Sequence, residues 1–342
     1  TQRYLHRVPL TGEGKLECIT PILSPGTHAY QMSQDAQWAI HTYSSFTTPS
    51  VIDLVSLPAH RSVRMLQANE ELQAKVQALN PCPTEFFRVD IGEGVLLDAW
   101  CIKPPDFDPG QQYPLLFYVY GEPAGQTVLD RWGGRNSLWH RMLAQQGAIV
   151  ISIDNRGTPG PRGRAWRKSV YRQIGILASA DQAAAARAII KDRPYIDPNR
   201  VGIWGWSGGG SMTLNALFRY PELYKTGVAI AFIANQRYYD TIYQERYMGL
   251  PKDNEEGFTQ GSPITFAHQL QGKLMIVYGT GDDNCHFQNC QALINELVKH
   301  NKPFSMMSYP NRTHSIKEGE GTTLHLYTTM TQYLMENLIG GQ

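Results

Sequence analysis

The stretch GIWGWSGGGSMTLNALF, residues 202–218, sets one serine among the close glycines Gly205, Gly208, Gly209 and Gly210. Two chemistries use such a run. A phosphate-binding loop needs G-x-x-x-x-G-K-[ST], in which backbone amides cradle the phosphates and the lysine neutralises them. No lysine follows here. Gly205-Trp206-Ser207-Gly208-Gly209 instead fits G-x-S-x-G, after an apolar strand and before a helix-like run, the setting in which a strained turn lifts a serine hydroxyl as a nucleophile. That turn brings the strand and helix backbones together, so the residues two before and two after the serine must be small, as Gly205 and Gly209 are. An ordinary glycine turn with an idle serine is the competing reading, and the motif alone does not dismiss it.

A serine hydroxyl is a weak nucleophile at neutral pH and needs a base that is itself oriented by an acid. When such a serine follows a strand of a hydrolase sheet, the acid and then the histidine come later in the chain. TGDDNCHF places Asp282 and Asp283 directly after the strand-like KLMIVYG, and NRTHSI places His314 after FSMMSYP. Both lie where parallel sheets put their ligand-side residues, at the carboxyl ends of strands. Spacing does not choose between the two aspartates. Of the ten histidines, His300 ends a helix and His140 and His325 sit within helical stretches. His6, His28, His41 and His60 fall in the N-terminal part, where solvated or capping roles are expected. His286 is close to Asp282 but should start the helix FQNCQALINELVKH and pack or cap there, and His314 is the expected base.

These residues need a sheet to position them. From about residue 81 onward, apolar strands alternate with helices: YPLLFYVYG, a helix near 136–146, AIVISID, a helix near 179–191, RVGIWG, YKTGVAIAF, KLMIVYG and FSMMSYP. This alternation predicts βαβ units and a mainly parallel sheet, closed by a last covering helix over HLYTTMTQYLMENL. Residues 1 to about 66 read differently, as the short antiparallel strands RYLHRVPL, KLECIT, AYQMS, WAIHTYS and VIDLVSLP between turn clusters. A short amphipathic helix, ANEELQAKVQAL, follows, and Pro81 and Pro83 stop it. The expected organisation is therefore 1–80, a partial β-domain with a linker helix, and 81–342, a catalytic α/β domain. Strands of this kind suit one or two blades of a propeller, which closes with roughly 4–8. An incomplete propeller leaves unpaired strand edges, which invite self-association into a homodimer or higher oligomer.

Bulk composition narrows the partners. At 342 residues and 42% hydrophobic, the chain can bury a substantial core, and a net charge of +1 favours neither nucleic acid nor anionic lipid. The five cysteines are scattered and form no CxxC or Cys/His metal spacing, so no metal, disulfide framework or cofactor is expected. No run of about 18 apolar residues suggests a membrane span. The start, TQRYLHRVPL, has no initiator methionine, basic n-region or apolar h-region, and reads as a cut in a longer chain or after a removed targeting segment.

GWSGGG, YYDTIYQERYMGLP, GTGDDNCHFQ and THSI, preceded by YVYGEPAGQ and DNRGTPGPRG, together resemble the dipeptidyl peptidase IV branch of the prolyl oligopeptidase-type serine peptidases. The resemblance covers about residues 84–342, and the start of the chain is similar to the end of that family's β-propeller. It implies an α/β-hydrolase fold with Ser207 as nucleophile, Asp282 rather than Asp283 as orienting acid, and His314 as base. It further implies that the Tyr120 hydroxyl and the Gly208 N–H bind the oxyanion. Ile233, Tyr239, Tyr243 and Cys285 would wall the pocket for the residue before the scissile bond, and Asn284 would hold the preceding carbonyl. Without the resemblance, Tyr120 reads as strand-end packing and the Tyr239/Tyr243 pair as a core stripe on one helix face. The family is often exported, which points to a periplasmic or extracellular parent, with no signal in this chain to show it.

Three departures concern the substrate. The family's residue after the nucleophile is usually aromatic, and here it is Gly208; a tryptophan shortly before the paired tyrosines is replaced by Gln236. The family's pair of glutamates that binds a substrate amino terminus belongs to a propeller segment not found here, and Glu70-Glu71 and Glu255-Glu256 read as solvated. The expected activity is peptide-bond hydrolysis through an acyl-enzyme, with dipeptide release after proline or alanine. The alternatives are a carboxylesterase acting on small esters and a non-catalytic binding protein on a hydrolase fold.

Overall fold

A computed structural model describes residues 1–340. The chain forms two compact units, Thr1–Pro81 with Leu129–His140, and Cys82–Val128 with Arg141 onward.

In the first unit, β1 (His6–Arg7) pairs with β2 (Glu17–Cys18), and β3 (Thr27–Met32), β4 (Trp38–Ser44), β5 (Val51–Ser56) and β6 (Arg61–Gln67) form an antiparallel meander in chain order. Helix α1 (Glu70–Gln77) follows, carrying Glu70 and Glu71 exposed in its first turn, where acidic groups suit the helix dipole. Strand β6 has no counterpart in the sequence reading. Every one of its residues is exposed, so RSVRMLQ carries no inside–outside alternation to reveal it. The histidines of this unit depart from expectation too: His28 and His41 are buried. Pairing in register sets His41 opposite both Tyr30 on β3 and Asp53 on β5. His28 Nε2 meets the Ser24 carbonyl oxygen at 2.8 Å, His28 Nδ1 meets His41 Nε2 at 2.8 Å, and His41 Nδ1 meets Asp53 Oδ1 at 2.8 Å. Only a ring N–H can bond a carbonyl, so a neutral His28 donates from Nε2 and accepts at Nδ1.

The second unit is an α/β-hydrolase fold. Its strands are β7 (Thr84–Asp90), β8 (Leu96–Ile102), β9 (Tyr113–Tyr118), β10 (Ile149–Asp154), β11 (Ile196–Trp206), β12 (Thr226–Ile230), β13 (Lys273–Gly279) and β14 (Ser305–Tyr309). They form one sheet in the order β7-β8-β10-β9-β11-β12-β13-β14. β7 pairs with β8 and β8 with β10 antiparallel, and every other pairing in this sheet is parallel. Strands β10 and β12 are buried along their whole length, and β9 and β13 nearly so, as expected when helices cover both faces.

Helix α2 (Gly134–Gln145) begins in the first unit and ends in the second, whose further helices are α3 (Gly163–Lys168), α4 (Leu177–Asp192), α5 (Gly208–Arg219), α6 (Thr241–Met248), α7 (Glu255–Gln260), α8 (Gln288–Lys299) and α9 (Thr322–Leu334). Helix α5 is buried from Gly208 to Phe218, which a surface helix never is, and it runs directly behind the sheet's centre. The strand order reverses around β9, whose neighbours are β10 and β11. A crevice at the carboxyl ends of β9 and β11 is where such a sheet binds ligands. Among the described residues, no helix is long and apolar enough to cross a membrane.

Candidate active site

Ser207 sits at the turn from β11 to α5 with φ 60° and ψ −123°, a backbone conformation that costs a non-glycine residue of order 1–3 kcal/mol. The surroundings hold it there. Its N–H donates to the Ile230 carbonyl at 2.9 Å. A Cβ on Gly205 would come within 2.3 Å of the Gly209 carbonyl oxygen, and one on Gly209 within 2.2 Å of the Val119 carbonyl oxygen. Any side chain at either position forces the strand and helix apart. The closeness also brings the Tyr120 backbone against Gly209, since Tyr120 Cα lies 3.3 Å from that same Cβ position.

The two aspartates that spacing left equivalent are not equivalent in space. Asp282 is buried and Asp283 is exposed. Asp282 Oδ1 accepts from the backbone N–H groups of Asn284 at 3.0 Å and Cys285 at 2.8 Å, and Oδ2 lies 2.8 Å from His314 Nδ1. Both oxygens are occupied, so the carboxylate is fixed in orientation. His286 is exposed and takes no part in this pairing.

The loop carrying His314 is bound to the loop carrying Asp282. Thr280 N–H donates to the Tyr309 carbonyl at 3.0 Å, Gly281 N–H to the Arg312 carbonyl at 3.1 Å, and Asn311 N–H to Thr280 Oγ1 at 2.8 Å. Trp206 Nε1 donates to the His314 carbonyl at 2.9 Å, linking the residue before Ser207 to this histidine. The His314 side chain is 24% exposed, and among the described residues its Nε2 makes no hydrogen bond. One nitrogen is therefore oriented by a carboxylate while the other stays available, the arrangement a general base requires.

Tyr120 follows β9, with its ring against Gly125, where a Cβ would come within 2.7 Å. Burial, and then the neighbouring Glu122 carboxyl, push the Tyr120 phenol well above the ordinary tyrosine range, so it keeps its proton and can donate. Gly208 opens α5, and the first N–H groups of a helix have no intrahelical acceptor.

Tyr239 and Tyr243 meet edge to face at 5.3 Å, but they do not share a helix. Tyr239 precedes the Asp240 cap, whose side chain accepts from Tyr243 N–H at 2.8 Å, and only Tyr243 lies within α6. The Tyr239 hydroxyl donates to Asn284 Oδ1 at 3.0 Å, which commits that oxygen and leaves the amide –NH₂ as the group Asn284 can offer. Cys285 is buried against the Ser207 side chain, and its thiol is pushed up by burial and then by Asp282. Ile233 is buried, its N–H bonded to Ser211 Oγ at 2.9 Å. Tyr238, Tyr239, Asp240, Asp283, Asn284 and His286 line an open cleft of about 400 Å³.

Gln236 does not add a free amide to the pocket. It is buried, donating to the Gly261 carbonyl at 3.2 Å and accepting from Gln244 Nε2 at 2.7 Å. Glu122, which the sequence reading passed over, is a buried neighbour of the paired tyrosines: it is 8% exposed and accepts from the Tyr243 hydroxyl at 2.7 Å. Nothing in its immediate sequence, YGEPAGQ, marks it as such.

Comparison with known proteins places this geometry in context. Residues 137–340 match the model of the prolyl oligopeptidase family. The chain is 33% identical over 346 residues to a probable dipeptidyl-aminopeptidase B of Emericella nidulans, covering 99% of this chain and 37% of that protein. It is 32% identical over 348 residues to human dipeptidyl peptidase 8, covering 98% of this chain and 38% of that protein. The crystal structure of Porphyromonas gingivalis dipeptidyl peptidase 4 superposes with a TM-score of 0.92 at 40% identity, over 98% of this chain and 46% of that one. The chain thus spans less than half the length of each of these relatives.

Proposed function

The chain belongs to the prolyl oligopeptidase family, and on that premise we propose that it is a serine peptidase that releases dipeptides from peptide amino termini after proline or alanine. In this reading residues 1–80 are part of a β-propeller with α1 as linker, and residues 81–342 are the catalytic domain. The single observation that carries the proposal is a serine on a strained turn whose preceding residue, Trp206, is hydrogen-bonded to a histidine oriented by a fully hydrogen-bonded aspartate.

Ser207 Oγ attacks the scissile carbonyl carbon while His314 Nε2 takes its proton, and Asp282 stabilises the imidazolium that results. The carbonyl oxygen becomes an oxyanion, stabilised by the Tyr120 hydroxyl and the Gly208 N–H, which act on charge that develops only in the transition state. Collapse of this intermediate breaks the C–N bond, and His314 returns the proton to the leaving amine. Water repeats the sequence on the acyl-enzyme, freeing the acid and Ser207. Ile233, Tyr239, Tyr243 and Cys285 enclose the side chain before the scissile bond, and Asn284 donates to the carbonyl of the residue preceding it.

The test compares Gly-Pro-p-nitroanilide with p-nitrophenyl butyrate, in the wild type and in Ser207→Ala. Turnover of both, abolished by the substitution, is expected. Ester turnover without anilide turnover would replace the peptidase reading with an esterase one, and undiminished turnover by the variant would remove Ser207 from the chemistry.

A further inference from the structure

Two residues of the second unit share one space. Gly208 has no side chain to close the pocket beside the nucleophile, and Glu122 reaches into that space. A Cβ built on Gly208 would stand 2.8 Å from Glu122 Cδ and 3.0 Å from Glu122 Oε2. The carboxyl therefore forms the wall that a larger residue 208 would have formed. It is held by the Tyr243 hydroxyl, which donates to Oε2 at 2.7 Å and is itself part of the pocket.

The titratable groups facing Glu122 are the phenols of Tyr120, Tyr239 and Tyr243 and the thiol of Cys285, each raised first of all by burial and therefore neutral. Among the described residues no cation reaches the carboxyl. Asp282 does not compete for one, because both its oxygens are engaged. A buried carboxylate without a partner is costly, and its ordinary resolution is a cation or a proton. In the free protein it is a proton below about pH 7, since burial pushes the Glu122 carboxyl up to about 7.

We propose that Glu122 is a specificity-determining residue whose carboxyl extends the pocket's range beyond proline and alanine, favouring a cationic side chain before the scissile bond over a neutral chain of similar size. The proposal rests on Ser207 as the nucleophile, because only then does the Gly208 wall face that side chain. A substrate ammonium would supply the charge that the protein withholds, in a desolvated pocket where close charge pairs count for most.

The experiment uses the whole chain with N-acyl p-nitrophenyl esters of lysine and norleucine, which share a four-carbon side chain and differ in the terminal ammonium. The activated ester keeps the readout independent of peptide-bond cleavage. In the wild type at pH 8, kcat/KM for lysine should exceed that for norleucine by about tenfold or more, an expectation set by the strength of desolvated charge pairs. The ratio should fall toward one by pH 6 as Glu122 takes up its proton, since the lysine ammonium stays charged throughout. Glu122→Gln should hold the ratio near one at both pH values. Tyr243→Phe removes the hydrogen bond that lowers the Glu122 pKa, so the rise in the ratio should move to higher pH. A wild-type ratio near one at pH 8, or a lysine preference that survives Glu122→Gln, would overturn the proposal. Turnover that survives Ser207→Ala would instead remove the reading of Ser207 on which it rests.

Discussion

The two units each contain a histidine whose Nδ1 lies 2.8 Å from a carboxylate oxygen, His41 with Asp53 and His314 with Asp282. The difference lies in the second nitrogen. His41 Nε2 is spent on His28, and the ring stacks on His28 and Tyr30 within a sheet. His314 Nε2 is unspent, and its loop is tied to the residue preceding a strained serine. A His–Asp pair is thus no signature of catalysis in itself. What separates structure from chemistry is whether the far nitrogen is already satisfied and what lies beside it.

Substitutions should separate the pairs most sharply by rate. His314→Ala is expected to lower kcat by about 10⁶-fold, as removal of a triad histidine does, whereas His41→Ala should leave kcat/KM for p-nitrophenyl butyrate unchanged. Asp282→Asn should lower kcat by about 10⁴-fold through loss of the correct imidazole orientation, and Asp53→Asn should have no such effect. Steady-state kinetics on the four purified variants checks this. If the two pairs behaved alike, the distinction drawn from the second nitrogen would fail. Tyr120→Phe should cost about 10²–10³-fold in kcat with little change in KM, because the role proposed for its donor is on the oxyanion and not on the bound ground state.

The remaining effects are on stability. His41→Ala strands the buried Asp53 carboxyl and should destabilise the first unit by about 3 kcal/mol, measured by urea unfolding with a probe in that unit. Glu122 gives a pH signature. Its folded pKa of about 7 lies above the ordinary 4.5, so the folded state releases this proton later than the unfolded state does. Stability should therefore fall as pH rises from about 4.5 through 7, by about 3 kcal/mol in total. Glu122→Gln should remove that slope, and Asp282→Asn should leave it in place.

The legible parts were those written in short local patterns. Gly205 and Gly209 are diagnostic because the elbow admits no Cβ, and the parallel strands announce themselves as apolar runs. What stayed hidden depends on register and close approach. Nothing local distinguishes Asp282 from Asp283; burial and two backbone donors do. Tyr239 and Tyr243 suggested one helix face, yet Asp240 caps α6 between them and the rings meet across the cap. The His28–His41–Asp53 chain appears only once β3, β4 and β5 are paired in register. Glu122 matters only because it occupies space that Gly208, many residues later, leaves empty.

The central claim is that Ser207, activated by His314, is the protein's nucleophile, and its most direct test is covalent labelling with a fluorophosphonate followed by peptide mass mapping. The account predicts a single adduct on Ser207, lost in His314→Ala and retained in His41→Ala. An adduct on another residue, or one on Ser207 that forms as fast without His314, would contradict it.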